Sequence, residues 1–320
     1  MPELPSTLRC VARRTNLTLL AALGVAFASG VLSLWVGDAR AWAVTWAHGA
    51  AGFAVLLLVR WKLPIVRRGL ARRRGESGGS VVAGAVAVGM LITGVGHSLG
   101  VRDAGPVTVL GLHIALAVAL VPLLGLHVVA HPQRPRRGDL TRAGFLRLAG
   151  VTAAALTAKA LFEGTVGTSR AATGSLRQAL PSPTSWLDDT APDVDRQEWA
   201  ALLAGLPVRS VTCALDCTSG WYSVNRWAGV AVADLLGALP TGTRSVLVRS
   251  HTGYTRRFAV SELEGMLLAT HLDGVPLGPG NGAPARLVAP GRRGFWWVKW
   301  VSSVEPSTRP AWWQLPFPLG

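Results

Sequence analysis

Two groups of residues in this 320-residue chain have the types and placement to do chemistry. One is Cys217, in the stretch 211–221 (VTCALDCTSGW), a thiol that follows a β-type run and is framed by Gly220 and Trp221. A thiolate in such a loop is a soft-metal ligand. The other is His48, His97 and His113, which lie inside long apolar stretches. Ionisable side chains at bilayer depth are costly and mark function, and imidazoles from separate membrane helices can hold a haem iron between them. The two groups together outline a membrane redox enzyme.

The elements that must position the histidines are transmembrane helices. Four apolar stretches, 17–37, 42–59, 80–100 and 106–130, each approach the ~20 residues that a helix needs to cross the hydrocarbon layer. The first is long and is followed by further spans, unlike a cleavable signal peptide. The formal charge is +15, but it is segregated by loop. Arg9, Arg13 and Arg14 precede the first stretch; Arg60, Lys62, Arg67, Arg68, Arg72, Arg73 and Arg74 follow the second; Arg134, Arg136, Arg137, Arg142 and Arg147 follow the fourth. The other two connections carry Asp38, Arg40, Arg102 and Asp103, balanced in sign. The positive-inside rule places the three basic loops in the cytoplasm. This alternation accounts for the charge without nucleic acid, which is excluded as a partner. Trp35, Trp42, Trp46 and Trp61 fit the aromatic belts at the two interfaces.

In that orientation His48, His97 and His113 fall towards the outer side, while His127 and His131 sit at the inner side. The outer group suffices for a bis-histidine haem b, most simply His48 with His113, with His97 as substitute or propionate contact. Membrane histidines also bond neighbouring helices without metal, and that alternative stays open. The pattern His48-Gly49 in the second stretch, with Leu112-His113 and Leu126-His127 in the fourth, resembles the four-helix membrane cytochrome b group.

Residues 141–162 form a weaker apolar segment with Arg147 and Lys159 near its ends. If it spans, with both cations snorkelling to the interfaces, whatever follows is extracytoplasmic. If it is an amphipathic surface helix, the rest stays in the cytoplasm. Spanning is the expectation, and Thr141 to Arg147 resembles a degraded twin-arginine export signal in which Ala143 replaces one arginine. The expected organisation is a transmembrane four-helix domain over 1–140, a fifth helix over 141–165, a Gly/Ser/Thr/Pro-rich linker over 166–184 and a second domain over 185–320.

The second domain reads as mixed and mainly β. Short β-type runs occur at Val208–Thr212, Val246–Ser250, Arg257–Val260, Ala285–Val288 and Trp296–Val304, with helical runs at Val232–Ala238 and Ser261–Ala269. Three cysteines argue against a disulfide framework. Cys213 and Cys217 on one continuous strand would lie ~13 Å apart, beyond the ~4.4–6.8 Å window of a disulfide, although a local turn would restore that pairing.

Residues 185–305 resemble the molybdopterin-binding domain of the sulfite oxidase family, in its compact bacterial form. The blocks that carry the likeness run in order: Asp216 to Trp221; Trp227 to Val230 leading to Asp234 to Leu236; Gly253-Tyr254; Leu267 to Ala269 before Asp273 to Leu277; Gly282 to Gly291; and Val298 to Val301. The resemblance implies that Cys217 ligates molybdenum beside one molybdopterin, and that Arg286, Lys299 and the backbone of Gly282 and Gly291 meet the pterin and its phosphate. These four are otherwise surface cations and turn glycines. Arg256, Arg257, Arg292 and Arg293 are either phosphate or oxyanion contacts or solvated charges. Many relatives have His where this chain has Asn281. The implied activity is oxo-transfer redox chemistry on a sulfoxide- or sulfite-like substrate, small or protein-borne. Electrons would be exchanged with haem b and then with quinone or another membrane carrier. A haem-free anchored molybdoenzyme and an exported binding module on a helical anchor are the alternatives.

Overall fold

The structure, a computed structural model, describes residues 6–72, 78–105, 107–133, 142–166, 170–178, 192, 194 and 196–315. Arg73, Arg74, Arg134, Arg136 and Arg137, and residues 167–169 and 179–184 of the expected linker, lie outside the described residues. The chain divides into two compact units. One holds the residues through Ser33 together with Ala41–Arg170; the other holds Leu34–Arg40 together with the residues from Ala171 on.

The first unit is built from five long helices: α1 (Ser6–Ser33), α2 (Trp42–Arg72), α3 (Gly78–Ser98), α4 (Val109–Ala130) and α5 (Arg142–Val166). A short hairpin of β1 (Asp103–Ala104) and β2 (Val107–Thr108) joins α3 to α4. The side chain of Thr108 caps α4 by accepting from the Gly111 N–H, satisfying a donor that the first turn leaves free. All five helices contain a segment long and apolar enough to cross a membrane, including Gly144–Thr165 of α5. Large apolar side chains such as Ile92, Leu126 and Val129 point outward, as expected where the solvent is lipid.

The second unit is mainly sheet. A six-stranded sheet contains β3 (Leu176–Arg177), β4 (Val208–Asp216), β5 (Trp221–Ala231), β8 (Leu267–Leu272), β9 (Val275–Pro276) and β10 (Arg286–Val288). Its main path runs β10-β8-β5-β3, with β4 antiparallel to β5, β9 on β8, and β3 parallel to β5. A three-stranded sheet has β6 (Ser245–Ser250) between β11 (Val301–Ser307) and β7 (Thr255–Ala259). Helices are short: α6 (Arg196–Leu203) and α7 (Val232–Leu236). Trp227, Phe258, Leu268, Leu287, Val246, Val248 and Val301 form the buried core. At the bulge between β5 and β8, Gly229 lies so close to the Leu268 carbonyl that no Cβ fits.

The expected mixed, mainly β architecture is present, with local corrections. The run Ser261–Ala269, expected to be helical, is a 3-10 turn over Val260–Gly265 followed by β8. Leu267, Leu268 and Ala269 are buried in the middle of the sheet, where tertiary packing overrides helix propensity. The run from Trp296 becomes strand only at Val301. Residues 171–178, inside the stretch read as linker, belong to the second unit and supply β3.

Leu34–Arg40 joins α1 to α2 and is packed as part of the second unit. Val36 forms a β-bridge with Arg292, the Gly37 N–H donates to the Gly291 carbonyl at 2.9 Å, and Trp35 meets Trp296 edge to face at 6.1 Å.

Candidate active site

Cys217 lies immediately beyond the end of β4, in the tight turn that connects to β5. The turn closes by hydrogen bonds from Gly220 N–H to the Cys217 carbonyl (3.0 Å) and from Cys217 N–H to the Trp221 carbonyl (2.8 Å). Gly220 has φ +86°, a left-handed conformation that glycine adopts without the Cβ penalty. The Ser219 N–H points at the Cys217 sulfur, 3.4 Å away. Gly294 packs against the turn so tightly that a Cβ there would lie 3.1 Å from the Cys217 Cα.

The turn is held from behind by a buried ion pair. Asp216 accepts from the hydroxyls of Thr173 and Ser175, and its carboxylate lies 3.3 Å from Arg293 Nη1. Arg293 also donates to the Cys217 carbonyl at 3.2 Å. Burial pushes the Asp216 carboxyl above the usual carboxylate range, against the pull of Arg293 and the two hydroxyls. Desolvation favours the neutral form of an acid, whereas a nearby cation favours the charged one.

Arg286, at the start of β10, is 5% exposed and lies close enough to Cys217 to feel its charge. Burial drives the guanidinium down to about 10, with nearby Cys217 pulling the other way. The group lies 5.4 Å from the Trp227 ring and 5.8 Å from the Trp297 ring, and donates through Nη1 to the Asn281 carbonyl at 3.2 Å. Its Nε is buried without a protein acceptor, so the buried cation keeps a free donor. Gly282 lies beside it at φ +101°, where a Cβ would meet Lys299 Cβ at 3.1 Å and Arg286 Cβ at 3.3 Å. Lys299 Nζ sits 4.7 Å from the ring of Trp300. Trp300 itself has φ +50° and is fixed by donation from its indole to the Pro279 carbonyl at 2.7 Å.

Cys217, Gly282, Arg286 and Lys299, named from the sequence, thus converge. Gly291 does not join them: it has φ +78° and abuts Asp38 and Arg40 of the Leu34–Arg40 segment. The backbone carbonyl of Asn281 orients Arg286. The four arginines left open all have protein partners, although Arg256 Nη2 and Arg293 Nε are buried without one. Arg256 stacks on Tyr254, Phe295 and Trp296 and donates to the Tyr254 hydroxyl (2.6 Å). Arg257 donates to Ser245 and Ser307, Arg292 pairs with Glu262, and Arg293 pairs with Asp216. The roles of Asp216 and Arg293 were missed because a buried ion pair and a solvated one look alike in sequence. Cys213 and Cys217 are both free thiols. Cys213 sits within β4 opposite Asn225, and burial pushes its thiol up to about 11.

The donor set suits an anionic, soft-metal cofactor. It offers a loop thiolate, a buried arginine with an orphaned donor, a glycine cradle that a side chain would fill, and a lysine beside that cradle.

In the first unit, the rings of His48 (α2) and His113 (α4) lie with centroids 6.0 Å apart and planes at 90°. His48 Nδ1 is 2.8 Å from the Ala26 carbonyl of α1, and His113 Nδ1 is 2.9 Å from the Met90 carbonyl of α3. A carbonyl only accepts, so each Nδ1 carries the proton and each Nε2 keeps its lone pair. Gly30 lies under the His48 ring and Gly94 under that of His113, where a Cβ would come within 3.1 and 3.0 Å of Cε1. His97 occupies the last turn of α3, just beyond Gly94. His127 contacts Ser80 at 3.1 Å and stacks on His131 at 4.9 Å. Among the described residues no group of three or more His, Cys, Asp or Glu side chains is placed to hold a metal, so a metal in either unit would rest on fewer side chains.

Residues 192–313 match the model of the oxidoreductase molybdopterin binding domain. The protein-methionine-sulfoxide reductase catalytic subunit MsrP of Xanthomonas campestris is 31% identical over 123 residues, covering 32% of this chain and 38% of that protein. An NADPH nitrate reductase of Mycosarcoma maydis is 41% identical over 58 residues, covering 18% of this chain and 6% of the enzyme. The chain therefore spans well under half the length of these curated relatives. The sulfane dehydrogenase SoxCD of Paracoccus pantotrophus aligns over 37% of this chain and 40% of its own at 21% identity, with a TM-score of 0.35.

Proposed function

We propose, from a chain whose second unit carries an oxidoreductase molybdopterin-binding domain, that the protein is a membrane-bound molybdenum-dependent reductase of a sulfoxide, free or protein-borne. The observation that carries this reading is the buried Arg286, its Nε without a protein acceptor, near the turn that presents Cys217. Cys217 is the metal-ligating thiolate; Arg286, Lys299 and the Gly282 backbone hold the anionic pterin. When bound, the molybdenum group supplies two-electron oxygen-atom transfer, by which a sulfoxide takes up two electrons and two protons and leaves as sulfide and water. The chain's own contribution is positional: the Asp216–Arg293 pair fixes the turn that aims the thiolate, and Trp227 and Trp297 keep water from Arg286. The sulfoxide class rests on the likeness to the methionine-sulfoxide reductase subunit.

His48 and His113 would hold a haem b. The two rings, 6.0 Å apart between centroids, are close enough for one metal ion to reach both, and each would offer it an Nε2 lone pair. The Nδ1–carbonyl bonds supply the outer contacts that orient a ligating imidazole. A haem there supplies one-electron exchange with a membrane carrier such as a quinol.

The second unit would lie outside the cytoplasm. With a cytoplasmic N-terminus, Leu34–Arg40 emerges outside after one crossing, and Ala171 emerges outside only if α5 makes a fifth. Both segments belong to one unit, so four crossings, which would separate them by the bilayer, are disfavoured.

Metal analysis of the purified chain with an absorbance spectrum is the direct test. Molybdenum near one per chain and a reducible b-type Soret and α band are expected. Molybdenum without the bands would leave a haem-free anchored molybdoenzyme; absence of molybdenum would leave an exported binding module.

A further inference from the structure

Lys159 is a cation buried in a membrane-spanning helix. It lies in α5, 6% exposed, and forms an ion pair with Glu163 one turn further on. Its stem fills a notch at Gly49, where a Cβ would stand 2.5 Å from Lys159 Cε and 3.5 Å from Nζ. The ammonium sits over the Trp46 ring, 5.3 Å from its centroid. One turn beyond, Phe53 and Phe162 meet at 5.8 Å. The face of α2 formed by Trp46, Gly49 and Phe53 is therefore built to receive α5, and the absence of a side chain at Gly49 admits the lysine. Gly49 directly follows His48.

A lysine placed by packing alone would be a poor solution here. A charge buried among apolar helices is costly unless it is paired, and one that persists there is a candidate for a task. Away from bulk water the interaction between charges is several-fold stronger than in solution. A ferric iron between two neutral imidazoles carries one more positive charge than the ferrous form, so a neighbouring ammonium favours the ferrous state and a neighbouring carboxylate opposes it.

We propose that Lys159 and Glu163 are positioning residues that set the reduction potential of the haem held by His48 and His113, Lys159 raising it and Glu163 tempering that rise. The proposal rests on the haem reading above. Its test is a redox titration of the full-length protein in detergent, following the b-type α band. Lys159→Met should move the midpoint to more negative values, Glu163→Gln should move it to more positive values, and Lys159→Arg should restore it to near wild type. Opposite shifts are the signature, because a purely structural role moves neither potential or moves both the same way. Wild-type potentials in both variants, or shifts of one sign, would overturn the proposal with the haem reading intact. If the wild-type chain shows no α band at all, the haem reading itself fails. Should Lys159→Met not assemble, the near-isosteric Glu163→Gln carries the sign alone: a positive shift supports the proposal and any other result sinks it.

Discussion

Asp216 and Arg293 are paired in the interior directly behind Cys217, Nη1 to Oδ1 at 3.3 Å, and the same guanidinium donates to the Cys217 carbonyl. The pair is thus a fixed point of the turn as well as an ionic contact. Removing one partner of a buried pair strands the other, typically at ~3–5 kcal/mol. Arg293→Met should therefore lower the unfolding temperature and reduce molybdenum content together. Asp216→Asn should also destabilise, since it strands the buried Arg293 and leaves one amide oxygen for the Thr173 and Ser175 hydroxyls, which now use separate carboxylate oxygens. Burial raises the Asp216 carboxyl in the folded state, so folding favours its protonated form, a contribution that is full in acid and is lost as the group ionises with rising pH. The stability gap between wild type and Asp216→Asn should accordingly narrow from mildly acid to neutral pH; a gap that widens would reverse the assignment.

The two thiols of the second unit should behave differently. Cys217→Ser should abolish both molybdenum binding and turnover with little change in folding, because the turn is held by backbone bonds and by Arg293 rather than by the sulfur. Cys213→Ser should keep metal and activity. The Cys213 thiol is pushed up to about 11, above its unfolded value, so its alkylation, mapped by peptide mass spectrometry, should remain slow at pH 8 and rise steeply only above pH 10. Rapid labelling of Cys213 at pH 8 would contradict the burial that separates it from Cys217.

Arg286 offers a test that separates a binding role from a structural one. Its charge is held below the usual guanidinium range by burial, to about 10, so ionisation at neutral pH costs the fold stability. That cost disappears only as pH rises through the lowered value. An apolar replacement of similar length, Arg286→Met, should leave the cofactor-free protein as stable as wild type or more so, by up to ~4 kcal/mol as for other buried charges replaced by apolar groups. Molybdopterin content should nevertheless fall sharply. A destabilised cofactor-free Arg286→Met protein would mark the residue as part of the core.

Much of this arrangement was legible in the sequence, for physical reasons that also define where it stopped. The helices announce themselves by length and hydropathy, and His48 and His113 stand out because polar groups in apolar stretches need a cause. Cys217, Gly282, Arg286 and Lys299 were named from ordered short blocks, and the fold brings them into one neighbourhood. The Leu34–Arg40 segment was not legible, since its place in the second unit depends on backbone pairing with Gly291 and Arg292 that has no local signature. For the same reason the sequence gives no hint that the left-handed backbone of Gly291 makes room for Asp38 and Arg40. Leu267, Leu268 and Ala269 read as helix because burial on both faces of a central strand erases the alternation that marks a strand.

His48 and His113 are tied to different helices through their Nδ1 atoms, and this makes their joint role testable without assuming turnover. His113→Leu removes an Nε2 donor, and Gly94→Val leaves the imidazole present but puts a side chain where Cε1 now sits, 3.0 Å from the Cβ position. If the two rings share one iron, either change should remove or shift the b-type α band by the same route, loss of an imidazole ligand, and His48→Leu should match them. His127→Leu should leave the band unchanged, because that ring is engaged with Ser80 and His131 instead. The spectra of the dithionite-reduced proteins decide the matter. A normal band in Gly94→Val would show that the His113 ring has room to move and that the iron is held elsewhere, whereas its loss beside an intact His127→Leu spectrum assigns the iron to this pair.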